Sequence, residues 1–388
     1  MIDFAHRMEN LSPHFFASLS AKIASLQAEG CDVIRLDEGS PDLPPAPAVI
    51  ETLARSAALP GHHRYQTHRG PQAYRLAWAE MYRREFDVEI DPMDEIVPLL
   101  GSKEGIFHMG LALVQPGDIV LIPDPGYITY TRSAKFAGGE PYYVPLHPQY
   151  GYLPDLQSVP PEIARRAKLI WLNYPNNPTG ATATLEFFSR VIDFAREYHL
   201  LVCHDAAYTQ ITFDGANAPS ILQVPGAKEF AVEFNTLSKS HNMAGWRVGA
   251  ALGNSQALSA LFTLKTNADS SHFLPILEAA TAAITGDQGW LRERNEIYRQ
   301  RRDVVISGLH AIGLSAPALG ASLYVWSPIP AGSSSVAFAV AALENAHVSL
   351  TPGTVFGDHG EGFVRISLTA PSERIAEAMQ RLASWMKT

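Results

Sequence analysis

Residues 169–180 read Leu169-Ile170-Trp171-Leu172-Asn173-Tyr174-Pro175-Asn176-Asn177-Pro178-Thr179-Gly180. A short, wholly apolar run with no polar alternation is what a strand covered on both faces needs. Two prolines and a closing glycine then fix the backbone in a loop, since proline restricts φ and glycine tolerates the turn. An asparagine held so rigidly, Asn177, can aim its amide at a ligand oxygen.

The same texture extends in both directions. Upstream, Glu95–Leu100, Ile119–Ile122 and Pro141–Leu146 read as strands, with helical stretches at Glu104–Leu113 and Ile128–Phe136. Downstream, Leu185–Tyr198 reads as a helix and Leu200–His204, Phe234–Leu237 and Val248–Leu252 as strands. Short apolar strands separated by helices predict an α/β protein whose mostly parallel sheet lies between helical layers. Beyond about Ser255 long helical patterns run through Leu291–Leu309, followed by strands at Leu323–Ser327 and Val364–Leu368. A closing helix over Ser372–Lys387 carries the stripe Ile375, Met379, Leu382 and Met386. Near the start, Ser12 and Pro13 suit an N-cap and first helical position, Phe15, Phe16, Leu19, Ile23 and Leu26 follow at helical spacing, and Gly30 can end the helix. Cys31–Leu36 is strand-like and Gly39–Pro47 a loop. The expected organisation is an N-terminal arm with part of a small domain over 1–45, a large domain over 46–285, and a small α+β domain over 286–388.

A chain of 388 residues is too long for one ordinary core. Thirty basic against 39 acidic residues leave a net charge of −9, which argues against a nucleic-acid surface and against docking on anionic lipid. Cys31 and Cys203 form neither a disulfide framework nor a metal-type spacing, so a reducing cytoplasm is expected. No signal-peptide core opens the chain, and no apolar run approaches the roughly 20 residues of a membrane span. His62, His63 and His68 cluster without the carboxylate–cysteine company of a metal site, and no metal is expected.

In an open α/β sheet, ligands sit beyond the carboxyl ends of the strands. Five loops there carry chemistry. Gly101-Ser102-Lys103 opens a helix whose first N–H groups, with the Ser102 hydroxyl, suit a phosphate. Tyr127, after Asp124-Pro125-Gly126, offers a ring to stack on another. Asn177 is described above. Asp205 ends an apolar strand, where a lone carboxylate is costly unless it meets a cation, and Tyr208 follows within reach. Ser238-Lys239 and Gly245-Trp246-Arg247 place an amine beside a guanidinium able to clamp a phosphate.

The run 176–180, the pair Asp205-x-x-Tyr208 and the run 238–249, in this order, resemble the fold-type I pyridoxal-5′-phosphate (PLP) enzymes of the aminotransferase class I/II family. The segments 99–105, 173–180, 203–208, 269–271 and 286–295 look most like LL-diaminopimelate aminotransferases. The resemblance implies a large domain built on a seven-stranded, mostly parallel sheet, and a ping-pong transfer of an amino group between an L-amino acid and a 2-oxo acid, with glutamate and 2-oxoglutarate as one pair. Lys239 would hold the cofactor as a Schiff base, Asp205 pair with its ring nitrogen, and Asn177 and Tyr208 bond its 3-oxygen. Tyr127 would stack on the ring, with Ser102, Lys103, Ser238 and Arg247 around the phosphate. Tyr65 would arrive from the second subunit of a homodimer. Arg365 would hold the substrate carboxylate, with Asn177 and the Gly39 backbone nearby.

Two positions depart from that subfamily. His14 stands where it has tyrosine, and Arg69 where it has glutamate. A glutamate suits a distal ammonium, whereas Arg69 suits a distal carboxylate. Both are expected to touch substrate, and the charge predicts a dicarboxylic or neutral amino acid in place of diaminopimelate. Three other readings share the same cofactor or fold. An aspartate- or alanine-type aminotransferase or a PLP-dependent C–S lyase shares the Lys239–Asp205 pair; a ligand-sensing regulator carries an added DNA-binding domain, for which this chain shows no room before the fold begins.

Overall fold

The computed structural model describes residues 3, 5–9 and 15–387. The expected cap at Ser12 and Pro13, and the substrate contact expected at His14, lie outside them. Twelve strands are present: β1 (Ile34–Arg35), β2 (Ile96–Leu99), β3 (Ile119–Asp124), β4 (Glu140–Pro145), β5 (Ala167–Asn173), β6 (Leu201–Asp205), β7 (Ala231–Thr236), β8 (Gly249–Gly253), β9 (Tyr324–Pro328), β10 (Val348–Ser349), β11 (Thr351–Pro352) and β12 (Phe363–Ser367). Seven form the central sheet, in the order β2-β8-β7-β6-β5-β3-β4. Only β8 opposes the others, pairing antiparallel with β2 and β7. Six strands therefore deliver their carboxyl ends to one edge, and β8 begins at that same edge.

Both faces of the sheet are covered, as the apolar runs require. One core holds Trp78, Phe188, Val191 and Leu277 from helices Gln72–Phe86, Leu185–Tyr198 and Leu274–Thr285. The opposite face packs Ile106, Met109, Tyr130 and Leu258 from helices Ser102–Leu113, Thr129–Phe136 and Ser255–Ala268. The helix Leu185–Tyr198 shows the local logic. Thr184 caps it by accepting from the Phe187 N–H at 3.2 Å, Phe187, Phe188, Val191, Ile192 and Ala195 fall on one stripe, and His199 ends it at φ 58°.

A third core gathers Ile34, Val305, Leu309, Tyr324, Val364, Ile375 and Leu382. It joins the N-terminal segment, through β1 paired with β10, to the sheet β11-β12-β9 and to the helices Gly289–Ala311 and Ser372–Trp385. Tyr208 and Ile211, from the loop after β6, also pack into it. The loop that follows Asp205 is thus pinned by a core separate from the one beneath the central sheet.

Inside the central sheet His204 and Glu233 face each other on β6 and β7, both fully buried. Glu233 accepts from Tyr82 Oη at 2.6 Å, Ser220 Oγ at 3.0 Å and the Ile221 N–H at 3.1 Å, and lies 2.9 Å from His204 Nδ1. A buried carboxylate with four partners stabilises its surroundings only while all are present. The substitution Glu233→Ala strands those groups and should lower unfolding free energy by about 3–5 kcal/mol; denaturant titration of the purified variant measures it.

Candidate active site

The loops at the carboxyl edge of the central sheet and the third core enclose a cavity of about 530 Å³. It is lined by Ser102 and Lys103 after β2, Tyr127 after β3, Asn177 after β5, Asp205 and Tyr208 at β6, and Ser238 and Lys239 after β7. Arg247, just before β8, reaches the same edge because that strand runs the other way. Gly39, Tyr324, Phe356 and Arg365 close it from the side of the third core. Eleven of the site residues read from sequence, all but Tyr65, His14 and Arg69, thus surround one space.

At its floor the Asp205 carboxylate is buried. Tyr130 Oη donates to Oδ2 at 2.8 Å, and Oδ1 has no hydrogen-bond partner among the described residues. Burial pushes this carboxyl up to about 6, against the opposing bond from Tyr130. A buried acceptor facing a cavity with nothing to accept costs about 1–3 kcal/mol, and a cationic N–H placed there removes that cost.

Lys239 sits in the four-residue helix Leu237–Ser240 directly after β7. Its Nζ donates to the Gly39 carbonyl. Burial, with help from Arg365 and Arg247 and against Tyr324, holds this amine below its ordinary value and so favours the neutral, nucleophilic form. Arg247 donates to Ser238 Oγ at 3.4 Å and to the Leu100 carbonyl at 3.2 Å. A side chain on Gly101, which has φ 80°, would collide with that guanidinium. Ser102, Ser238, Arg247 and the first N–H groups of the helix Ser102–Leu113 therefore make a tight, cationic cradle for a phosphate. Lys103 stands beside it, its amine lowered by burial and by Arg132 and Arg247.

At the other end Arg365 is buried on β12. It donates to Asn177 Oδ1 at 3.0 Å and to the Asp37 carbonyl at 2.7 Å, while its Nε has no partner. Its guanidinium lies 4.2 Å from the Tyr324 ring centroid and 4.9 Å from that of Phe356. Tyr324 is a feature that sequence reasoning missed. Its hydroxyl is 3.0 Å from that of Tyr208 and would meet any side chain on Gly39. Burial raises the Tyr324 hydroxyl's pKa, but Arg365 and then Lys239 outweigh it and bring the value below normal; burial and Tyr324 push Tyr208 well up. Tyr130 and Phe356 were missed for the same reason: a lone aromatic in a helix or loop carries no motif.

The substrate contact expected of Arg69 is not made within its own subunit. Its guanidinium donates to the Met93 carbonyl at 2.5 Å and lies 4.6 Å from the Phe262 ring centroid, in a recess shared with Asp94. Within one subunit that charge is engaged away from the cavity and makes no contact there. Tyr65 also lies off its own cavity and is 91% exposed. Glu104, His108 and Asp269 bring possible metal-ligand atoms within 4.8 Å of one another, but the Lys265 ammonium bonds Glu104 at 3.2 Å and Asp269 at 2.9 Å and so already places a cation between the two carboxylates.

A buried amine, a carboxylate with one bare oxygen and a phosphate cradle in one cavity define a site for PLP. Residues 31–382 match the family described as Aminotransferase class I and II. The chain is 50% identical to an LL-diaminopimelate aminotransferase of Desulforudis audaxviator, over 97% of this chain and 96% of that protein. It is 48% identical to one of Moorella thermoacetica, over 97% of each. Among solved structures, substrate-bound BacF of Bacillus subtilis superposes with a TM-score of 0.96 at 34% identity, covering 99% of this chain and 98% of that one. A Thermus thermophilus aspartate aminotransferase variant gives 0.93 at 29% identity, covering 99% and 100%. The chain belongs to the class I and II aminotransferases, with the fold-type I architecture, and is a PLP-dependent transaminase.

Asp205 supplies a pH test. Its carboxyl binds the proton more tightly folded, near 6, than unfolded, near 3.8. The contribution of Asp205 to the stability of the cofactor-free protein is therefore fully present below about pH 4 and is lost as pH rises through about 6. Asp205→Asn should make that protein more stable than wild type above about pH 6, by about 1–3 kcal/mol, with no difference below about pH 4. Urea unfolding of both proteins across this range measures the difference.

Proposed function

We propose that this enzyme exchanges an amino group between LL-diaminopimelate and a 2-oxo acid, with glutamate and 2-oxoglutarate as the second pair. The observation that carries the substrate reading is 50% identity, over nearly the full length of both chains, to a protein of that name. With Arg69 bonded to Met93 and stacked on Phe262, its positive charge gives no ground for rejecting a distal ammonium.

PLP supplies an aldehyde that captures amines and a ring that takes up the electron pair left when a Cα proton departs. The residues do the rest. Asp205 keeps the ring nitrogen protonated through its bare Oδ1, with Tyr130 orienting the carboxylate. Asn177 and Tyr208 donate toward the ring oxygen, and Tyr127 covers the ring. Ser102, Lys103, Ser238 and Arg247 hold the phosphate. Arg365, with its free Nε, grips the substrate carboxylate and sets the direction of the Cα–H bond; a planar fork does this where a lysine would not. The Lys239 amine, its pKa brought down by burial, would be the base that moves the proton from Cα.

The active unit is a homodimer in which Tyr65, exposed on its own subunit, reaches the partner's phosphate cradle. The division at 45 and 285 separates a cofactor-binding part from a smaller part bearing Arg365. The enzyme works in the cytoplasm, a reading supported by the unpaired Cys31 and Cys203. No helix among the described residues is long and apolar enough to cross a membrane.

Borohydride reduction of the holoenzyme should leave a pyridoxyl adduct on Lys239, and none in Lys239→Ala. In a steady-state screen, LL-diaminopimelate should exceed aspartate and alanine in kcat/KM by at least about tenfold, the minimum for a site matched to a second polar end. A preference for aspartate or alanine would overturn the substrate reading, and release of ammonia the transaminase reading. Mixing Lys239→Ala with Tyr65→Ala chains should regain activity above either alone, because one of the two sites in a mixed dimer is intact.

A further inference from the structure

The run 286–295 resembles its counterpart in the family, yet none of the roles above uses it. Its Arg294 lies on the long helix Gly289–Ala311 and is only 1% exposed. A guanidinium so deep normally faces a carboxylate. Among the described residues, all the acceptors of Arg294 are neutral. Nη1 donates to the Lys239 carbonyl at 3.0 Å and to the Ser240 carbonyl. Nη2 donates to the Gln210 carbonyl at 3.0 Å and to Asn295 Oδ1 at 2.6 Å, and Nε also reaches Asn295 Oδ1. The rings of Trp290 and Tyr298 flank the charge, with centroids at 5.5 and 5.8 Å.

The carbonyls it takes are particular ones. Those of Lys239 and Ser240 are at the end of the short helix that bears the amine, where carbonyls have no partner within the helix and carry its negative pole. Gln210 lies two residues beyond Tyr208, on the loop that starts at Asp205. Asn295 Nδ2 donates to the same Gln210 carbonyl at 3.0 Å, doubling the tie. The helix end beneath Lys239 and the loop beyond Tyr208 are thus fastened to one cation, on a helix that belongs to neither. His241, next in the chain, offers no competing charge: burial and then Arg294 push its imidazole down to about 3, so it is neutral.

We propose that Arg294 is a positioning residue. By holding the carbonyls of Lys239, Ser240 and Gln210 together it fixes where the Lys239 amine stands relative to the Asp205–Tyr208 side of the cavity. It touches neither cofactor nor substrate. Its distinct contribution is a rigid, charged fork spanning three carbonyls, which a lysine cannot reproduce. The proposal rests on Lys239 being the cofactor-bearing lysine, so one arm of its test does without the cofactor.

The variants are Arg294→Lys, Arg294→Met and the milder Asn295→Asp, which draws the guanidinium toward a carboxylate without removing it. In the holoenzyme each should keep wild-type circular dichroism, lower kcat by about tenfold or more with KM within about twofold, and move the pH midpoint of the bound cofactor's absorbance; loss of rate without loss of binding is the mark of misplaced groups. In cofactor-free protein, acetic anhydride labelling followed by peptide mass should show the pH profile of Lys239 displaced, while the exposed Lys168 is unchanged. If the two Arg294 variants fail to fold, Asn295→Asp decides. Folded variants with wild-type Lys239 labelling and, where cofactor binds, an unmoved absorbance midpoint would overturn the proposal. A wild-type protein that forms no pyridoxyl adduct would instead overturn the functional reading, and the labelling arm would still decide the role of Arg294.

Discussion

Much of this molecule is arranged around one carboxylate that is half satisfied. Asp205 is buried at the end of β6 with Tyr130 bonded to one oxygen and nothing on the other. In water that bare oxygen would cost nothing, whereas inside the fold it is a penalty that a donor must lift, and a cationic donor lifts it best. The fold keeps its own cations off it: Lys239 is bonded to Gly39, Arg365 to Asn177 and Asp37, Arg247 to Ser238 and Leu100. The penalty is therefore available to be relieved by a ligand, which is how a binding site is prepared in advance of its occupant.

That preparation requires two rigid bodies of packing to agree. The central sheet positions Asp205, Lys239 and the phosphate cradle, and the third core positions Tyr324 and Arg365. Tyr208 is shared, since it follows β6 yet packs with the third core and meets Tyr324 hydroxyl to hydroxyl at 3.0 Å. Arg365 in turn rests between Tyr324 and Phe356. The Arg365 end and the Lys239 end of the cavity are consequently coupled through aromatic contacts rather than through a covalent path.

Sequence made the sheet legible because its strands are short apolar runs followed by punctuated loops, and ligand chemistry in such folds gathers after strands. Asp205 stood out because a polar residue closing an apolar run is physically anomalous, Asn177 because two prolines and a glycine fix the loop that carries it, and Lys239 because a serine precedes it and an arginine follows in the loop after a strand. The helices Gln72–Phe86, Leu274–Thr285 and Ser335–Ala346 went unread. Tyr74, Trp78, Met81 and Tyr82 do fall at helical spacing, but the other two are apolar on nearly every side and show no period. Tyr324 and Tyr130 meet the site through residues far away in the chain, and Arg294, though inside the run 286–295, ties carbonyls that no local pattern announces. Arg69 shows a related limit of sequence: it states the sign of a charge but not the direction in which it points, here toward Met93 and Phe262 of its own subunit.

The reversal of β8 has a consequence for how this site can change. Because β7 and β8 are adjacent and opposed, Lys239 and Arg247 lie on a single connection, residues 237–248, anchored at both ends by the pair Thr236–Gly249. The span from the amine to the guanidinium is thus measured by one loop of fixed length, a ruler that holds regardless of what the outer loops become. Insertions elsewhere can reshape what enters the cavity, while a single residue added within this ruler would alter both of its marks at once.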